Sequence, residues 1–468
     1  MGPGGEGSRH EDRLIVNTAA ATAGLARFVA ETPAARIPEA VLHQGKRCII
    51  NTIAVALHAT QDPALQMLLR VLTAEGGAKH ASVLGGSFKT SLQNAALANG
   101  LLVHLDDYDD TFFPTVLHPS APTIPAALAL AEQGKRNGQD FLIASILGLE
   151  ATCRAALAIQ GVRHGAVWHM TGTAGVFGSA AAAGRLLGLD ADTMAIALSL
   201  AGTQASGLRE TFGTMTKAFH PARAAQSGVL AVLLAQQGFT SASTIIEGRH
   251  GFIAAFAPAD GDANCITDGL LEHWEVMNNA PKPYASAILS HPLIDAMLNF
   301  RRKPGVSPEQ VASIRGRVNP LTIKLESRPD PQTGLEGRLS FQHAMTMALV
   351  DGVCFPAQFT DARVRDPLVV ALRSKIVVEA DESIAQDQCE LTLTLHDGRS
   401  YTEHVAHATG SPDNPVTDAQ LERKFRELAG SVLPKARVRR LLAALWQLER
   451  VADVTEIIRL CCIPRRRQ

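Results

Sequence analysis

The segment His104–Ser120, HLDDYDDTFFPTVLHPS, concentrates more ionisable chemistry than any other stretch of the chain. Asp106, Asp107, Asp109 and Asp110 crowd together, and His118 follows just before an Ala/Leu-rich helical segment. Carboxylates this dense are costly to desolvate unless they are paired, bound to a cation or left wet. Apolar text flanks the run, ANGLLV before and PTIPAALALA after, which places part of it in a cleft. A solvated acidic loop is the alternative.

Three further polar sites interrupt small or apolar text. His169, in VWHMTGTAG, immediately precedes a Gly/Ala-rich helix. Lys217, in GTMTKAFHPARAA, sits beside His220 and Arg223, again just before a helix, and Lys282 opens KPYASAILSHP. A lone His or Lys is most often structural or solvated. Helix N-termini and cationic side chains together, however, make carboxylate sites, and histidines beside them can move protons near neutral pH. His118, His169, Lys217 and Lys282 as a set suit proton transfer α to a carboxylate of a small polyanion.

Two other patterns carry less. DDYDD fits the DDxxD run with which all-α isoprenoid synthases hold magnesium and a diphosphate. No second acidic motif of that kind follows, and aromatics are scarce at 5% for a site that must surround a carbocation. LGGSFKTS at 84–91 lacks the Gly before Lys that a phosphate loop needs, and reads as a turn into a helix.

The elements that must position these residues are mostly helical from about Thr18 to Gly251. Candidate helices are 38–59, 63–74, 93–105, 122–134, 138–160, 172–187, 191–207 and 222–238, with Gly188-Leu-Asp a stop followed by an N-cap. After about His273 the text changes. Residues 311–318 and 374–380 read as strands, 390–405 as a hairpin around His396-Asp-Gly-Arg, and 337–351 as a helix. Helices return at 418–429, 438–448 and 454–461. The expected fold is mainly α: a large all-helical domain (1–272 and 408–468) with an inserted smaller α+β lid domain (273–407). Ligand sites favour such domain interfaces.

Composition narrows the class. The 468 residues carry a net charge of −1, with no global electrostatic reason to bind nucleic acid or an anionic membrane. The one basic cluster, Arg465–Arg467, reads as a frayed terminus. Cys48, Cys153, Cys265, Cys354, Cys389, Cys461 and Cys462 show no CxxC or Cys/His ligand spacing, so no zinc or iron–sulfur site is expected and the thiols read as reduced. The N-terminus MGPGGEGSRHEDR has no signal core, and no apolar run of membrane-spanning length is expected. A cytoplasmic protein is expected.

Taken in order, AALANG (95–100), HLDDYDDT (104–111), HPS (118–120), GTAGVFGSAAAA (172–183), GTMTKAFHPARAAQSG (213–228), KPY (282–284), HPLIDA (291–296) and the closing VADVTEIIRL resemble the MmgE/PrpD family over nearly the whole chain. That family includes 2-methylcitrate dehydratases and cis-aconitate decarboxylases. The resemblance implies a homodimer without metal or organic cofactor, its active site lying between a helical domain and a lid. The functional positions of the decarboxylase branch resemble Asp107, Thr111, His118, His169, Lys217 and Lys282. By that likeness Lys217 and Lys282 bind substrate carboxylates. His118 and His169 are general acid and base in either order, Asp107 tunes a histidine, and Thr111 hydrogen-bonds substrate.

The chain departs from the decarboxylases in two places. Six residues separate Thr111 from His118, one more than expected. The decarboxylases carry a lid tyrosine before an Arg-Pro, whereas KLESRPDP (324–331) has none and Leu325 falls nearest. Tyr284 is the one tyrosine near the proposed site and is expected to contact substrate. The expected reaction is therefore dehydration of a small di- or tricarboxylate, as in 2-methylcitrate dehydratase. The alternatives are decarboxylation of the cis-aconitate type and epimerisation of a substituted succinate. A catalytically inactive helical scaffold is the non-enzyme reading, opposed by the intact His118, His169, Lys217 and Lys282.

Overall fold

Small residues set how closely the helices of this protein meet. In the computed structural model, which describes residues 21–464, the helix Met170–Leu187 is buried along almost its whole length. Around it pack Ser120–Gln133, Gly138–Ala158, Ala191–Gly202 and Thr216–Gln236. The helix Leu92–His104 lies against Thr216–Gln236 at a point where a Cβ on Gly100 would come within 2.8 Å of the Ala222 Cα. Only glycine permits that approach, and it brings the end of one helix, His104, to the start of the other, Lys217. Gly188, at φ +71°, stops the central helix and Asp190 caps the next by accepting from Thr193 N, as the sequence predicts.

The described residues are mainly helical, with 59% helix and 9% strand, and the larger sheet lies in the C-terminal part. That sheet has four strands in the order Ile376–Ala380, Val311–Val318, Cys389–Leu395, Ser400–Val405; the first pair is parallel and the others antiparallel. Cys389, Leu391, Leu393 and Leu395 alternate inward against the helix His291–Arg301, the period-2 pattern of a half-buried strand. The chain then returns to the helical body, where Asp418–Gly430 packs on Glu39–His58.

Several elements differ from expectation. The helix expected at 222–238 begins at Thr216, because Pro221 removes one ladder hydrogen bond without ending the helix. Gly138–Ala158, 21 residues, is long and apolar enough to cross a membrane, contrary to expectation, but 94% of its apolar window is buried inside the protein. A short helix, Pro320–Glu326, falls in text to which no element was assigned. A two-stranded antiparallel ladder joins Asp110–Phe112 to Asn279–Pro281; neither strand is legible from periodicity. This ladder places Lys282 beside the acidic run. The Arg465–Arg467 cluster and the N-terminal segment before residue 21 lie outside the described residues.

Candidate active site

All four aspartates of the acidic run are buried, none more than 6% exposed, so the solvated-loop alternative is excluded. Each has its own partners. Asp106 bonds His58 Nδ1 at 2.6 Å and Arg338 Nη2 at 2.8 Å. Asp107 accepts from Lys217 Nζ at 3.0 Å through Oδ2 and from Lys282 Nζ at 2.6 Å through Oδ1. Asp109 bonds His104 Nδ1 at 2.8 Å. Asp110 accepts from Ser120 Oγ and, at 2.7 Å, from Asn279 Nδ2. A DDxxD metal site needs its outer aspartates to converge on one cation; here Asp106 and Asp110 diverge to separate partners.

Backbone geometry at Asp107 is unusual. Its φ is +50°, the left-handed region that L-residues other than Asn and Asp seldom occupy. The ladder beside it fixes the turn: Lys282 N donates to Asp109 O at 3.3 Å, and Lys282 Nζ donates to Asp107 O at 2.9 Å as well as to its carboxylate. Lys424, buried on Asp418–Gly430, donates to Tyr108 O at 2.6 Å and Lys282 O at 2.9 Å, tying both loops together from behind.

Three imidazoles surround the Asp107–Lys217 pair. His104 bridges Asp109 and Lys217: its Nε2 lies 2.8 Å from Lys217 Nζ, which can only donate, so Nδ1 carries the proton toward Asp109. His118 Nδ1 lies 2.8 Å from Asp110 O, a carbonyl that only accepts, which leaves Nε2 unprotonated and turned toward Asp107 Oδ1 at 3.9 Å. His169 caps the central helix and its Nδ1 lies 3.0 Å from His220 Nδ1. Ring centroids are 4.7 Å apart for His104–His118 and 6.2 Å for His118–His169.

Burial and neighbouring charge set the protonation states. Burial alone would raise the Asp107 carboxyl, but the Lys217 and Lys282 ammonium groups hold it well below the usual carboxylate range. Burial lowers Lys217, opposed by Asp107. Burial first, then the Lys282 charge, pushes His118 well below an ordinary imidazole; burial and Lys217 do the same to His169. Both are neutral at pH 7 and able to accept a proton. Asp110, by contrast, is pushed up to about 6 by burial and by Asp109.

These groups open on a cavity of about 380 Å³. Asp107, His118, His169 and Lys217 line it, with Arg209 and Phe212 on one wall and Leu321, Lys324, Leu325 and Glu326 of the helix Pro320–Glu326 on another. The His104/His118/His169 nitrogens are close enough to suggest a metal, but two lysine ammonium groups already occupy the carboxylate between them, and both His104 nitrogens are engaged. The donor set suits an anion better than a cation.

Of the expected site residues, the fold brings Asp107, His118, His169, Lys217 and Lys282 together. Thr111 is buried, with Oγ1 3.3 Å from His118 Nδ1, so its neighbour is the histidine rather than the cavity. Tyr284 is not brought to the cluster: its hydroxyl bonds Asp295 and its ring lines a separate cavity. Leu325 does line the site cavity, in which no tyrosine appears among the lining residues. The sequence reading missed His104, Asp109, Arg209 and Glu326 as site residues. His104 and Asp109 were within reach, since both stand in the HLDDYDD run; the other two carried no local signal.

Comparison with known proteins places the whole chain in one family. The MmgE/PrpD N-terminal domain matches residues 23–263 and the MmgE/PrpD C-terminal domain matches residues 284–449. The chain is 28% identical to a cis-aconitate decarboxylase of Aspergillus terreus (strain NIH 2624 / FGSC A1156) over 95% of this chain and 96% of that protein. It is 28% identical to the cis-aconitate decarboxylase of Mus musculus, over 91% and 90% respectively. Against that of Homo sapiens the identity is 26%, over 91% of each.

Proposed function

The chain belongs to the MmgE/PrpD family, and on that premise we propose that it is a carboxy-lyase of the cis-aconitate decarboxylase type, acting on a small polycarboxylate. The observation that carries the proposal is Lys217, which reaches the cavity between the Asp107 carboxylate and the neutral His104 ring. Whole-length likeness to cis-aconitate decarboxylases favours this reading over the dehydration first expected from the missing tyrosine.

In the proposed reaction Lys217 and Arg209 draw substrate carboxylates into the cavity, with Lys282 fixing Asp107 from the buried side. Charge that develops on carbon as the carboxylate leaves spreads onto an adjoining carboxylate as an enolate, which the lysines stabilise. His118 and His169 present neutral imidazoles to the same space and exchange protons with substrate. Thr111 orients His118. The reading includes a sheet-bearing segment that closes over the cavity as a lid, a cytoplasmic homodimer, and a reaction without metal or organic cofactor.

Proton NMR of EDTA-treated enzyme in D₂O tests it, with cis-aconitate, 2-methylcitrate, citrate and substituted succinates as substrates and Lys217→Ala as control. The expected result is loss of one carboxyl from cis-aconitate, with solvent deuterium in the product, absent from the control. Water loss from 2-methylcitrate without decarboxylation would replace the proposal by a hydro-lyase. Inertness toward every member of the panel would overturn it.

A further inference from the structure

His118 and His169 are both pushed well below an ordinary imidazole, so near pH 7 neither stands as the imidazolium that would deliver a proton to carbon. Decarboxylation nevertheless needs a proton delivered to carbon. The cavity holds a different group placed to supply it. Glu326 ends the helix Pro320–Glu326 and lines the cavity with Asp107, His118, His169 and Lys217. It is 3% exposed. Its Oε1 accepts the backbone N–H of Leu289 at 3.0 Å, while the buried Oε2 has no hydrogen-bond partner among the described residues.

A carboxylate in that position would carry a buried charge answered by backbone N–H alone, without an ion pair, which disfavours the ionised form. Burial accordingly pushes Glu326 up to about 8, with Asp107 adding to the rise and the Leu289 N–H, Lys282 and the Ser290 N–H opposing it. The neutral acid is the stable form at pH 7, and Oε2 is the oxygen left to carry the proton, because Oε1 is already an acceptor. Its electrostatic neighbours are Asp107 and Lys282 of the buried cluster and Arg209, which draws in a substrate carboxylate in the proposed function.

We propose that Glu326 is the acid of this site, delivering its Oε2 proton to the carbon α to a remaining substrate carboxylate after carbon dioxide leaves. This rests on the decarboxylation reading. The bond to the departing carboxylate breaks and its electron pair moves, through the adjoining C=C where one is present, onto the carbon α to a retained carboxylate. A C–H bond forms there with the Glu326 proton. The resulting Glu326 carboxylate regains a proton from solvent, so each turnover consumes one proton and needs no oxidant or reductant. Glu326 thereby stands, one position along from Leu325, where a proton donor from this helix can still reach the cavity.

Glu326→Gln keeps the shape of the side chain and its Leu289 contact but has no acidic proton to transfer. With cis-aconitate as substrate, E326Q is expected to lose about 10²-fold in kcat with KM retained. Wild-type kcat should fall as pH rises through about 8, and that alkaline limb should vanish in E326Q. Glu326→Asp, an acid withdrawn by one methylene, should recover part of the rate with a displaced limb; it also serves alone should E326Q fail to fold. Wild-type kcat and an unchanged limb in E326Q, or in E326D if that is the variant that folds, overturn the proton assignment and leave the decarboxylase reading standing. A wild-type enzyme inert toward the whole polycarboxylate panel overturns that reading and the proton step with it.

Discussion

His169 Nδ1 and His220 Nδ1 lie 3.0 Å apart, close enough that one proton is shared between two nitrogens. Both rings are neutral at pH 7, His220 because burial pushes it to about 4. The tautomer of one ring therefore dictates that of the other, and with it whether His169 Nε2 faces the cavity as donor or acceptor. His220→Ala frees this choice. It is expected to lower kcat on the order of 10-fold to 100-fold through misorientation of His169, with KM little changed. Steady-state kinetics read the effect, and nitrogen NMR of the histidines checks the tautomer.

The two lysines on Asp107 differ in burial and should differ in what they do. Lys282 has a fully buried side chain, whereas that of Lys217 is 12% exposed and meets the cavity. Lys282→Met strips a buried carboxylate of one partner and should destabilise the fold by about 3–5 kcal/mol. Lys217→Met should leave stability closer to wild type and cost about 10²–10³-fold in kcat/KM. Chemical denaturation alongside kinetics separates them. Equal stability loss for both would show that Lys217 is structural.

Lys424 offers a distinct test because it reaches no part of the cavity. Its Nζ stands 3.5 Å over the Tyr108 ring and donates to the carbonyls of Tyr108 and Lys282. Lys424→Met leaves two buried acceptors unpaired, a loss of about 1–3 kcal/mol each. It should also lower kcat, since the backbone that sets Asp107 and Lys282 loosens. A stability loss with unaltered kcat would show that the loops hold their geometry without it.

Stability should fall as the protein is acidified from about pH 6.5. His220, His291 and His343 are lowered by burial to about 4, 3 and 4, and burial also holds His118 and His169 well below an ordinary imidazole. Between those values and 6.5 the unfolded chain binds protons that the folded chain refuses, so unfolding gains as pH drops. Their contribution is complete above pH 6.5 and lost progressively below it. Glu326 acts in the opposite sense: raised to about 8, it stabilises most below the ordinary glutamate value of 4.5 and loses that contribution as pH rises through 8. Urea denaturation across this range in wild type and E326Q should show a flatter alkaline side in the variant.

Much of the fold was legible because periodicity is local. The helices Glu39–His58, Gly138–Ala158 and Met170–Leu187 and the strand Val311–Val318 fall close to their expected bounds. Asp110–Phe112 and Asn279–Pro281 were not legible. Three-residue strands carry no period, and their pairing joins text 169 positions apart. Tyr284 illustrates the same limit from the other side: two residues from Lys282 in sequence, its hydroxyl bonds Asp295 and its ring lines a cavity other than the one Lys217, His118 and His169 share.

The sequence by itself determined the family, the helical body and the residue types of the site, because ordered motifs and apolar spacing are written along the chain. It also marked His118, His169, Lys217 and Lys282 as groups suited to a carboxylate. Only the tertiary structure decided which aspartate meets the lysines, which nitrogen of His104 and His118 carries the proton, and that Glu326 is buried beside them. Those outcomes depend on who faces whom across the Asp110–Phe112 ladder and the helix contact at Gly100. Protonation follows from burial and neighbouring charge, and neither exists until distant segments have packed together.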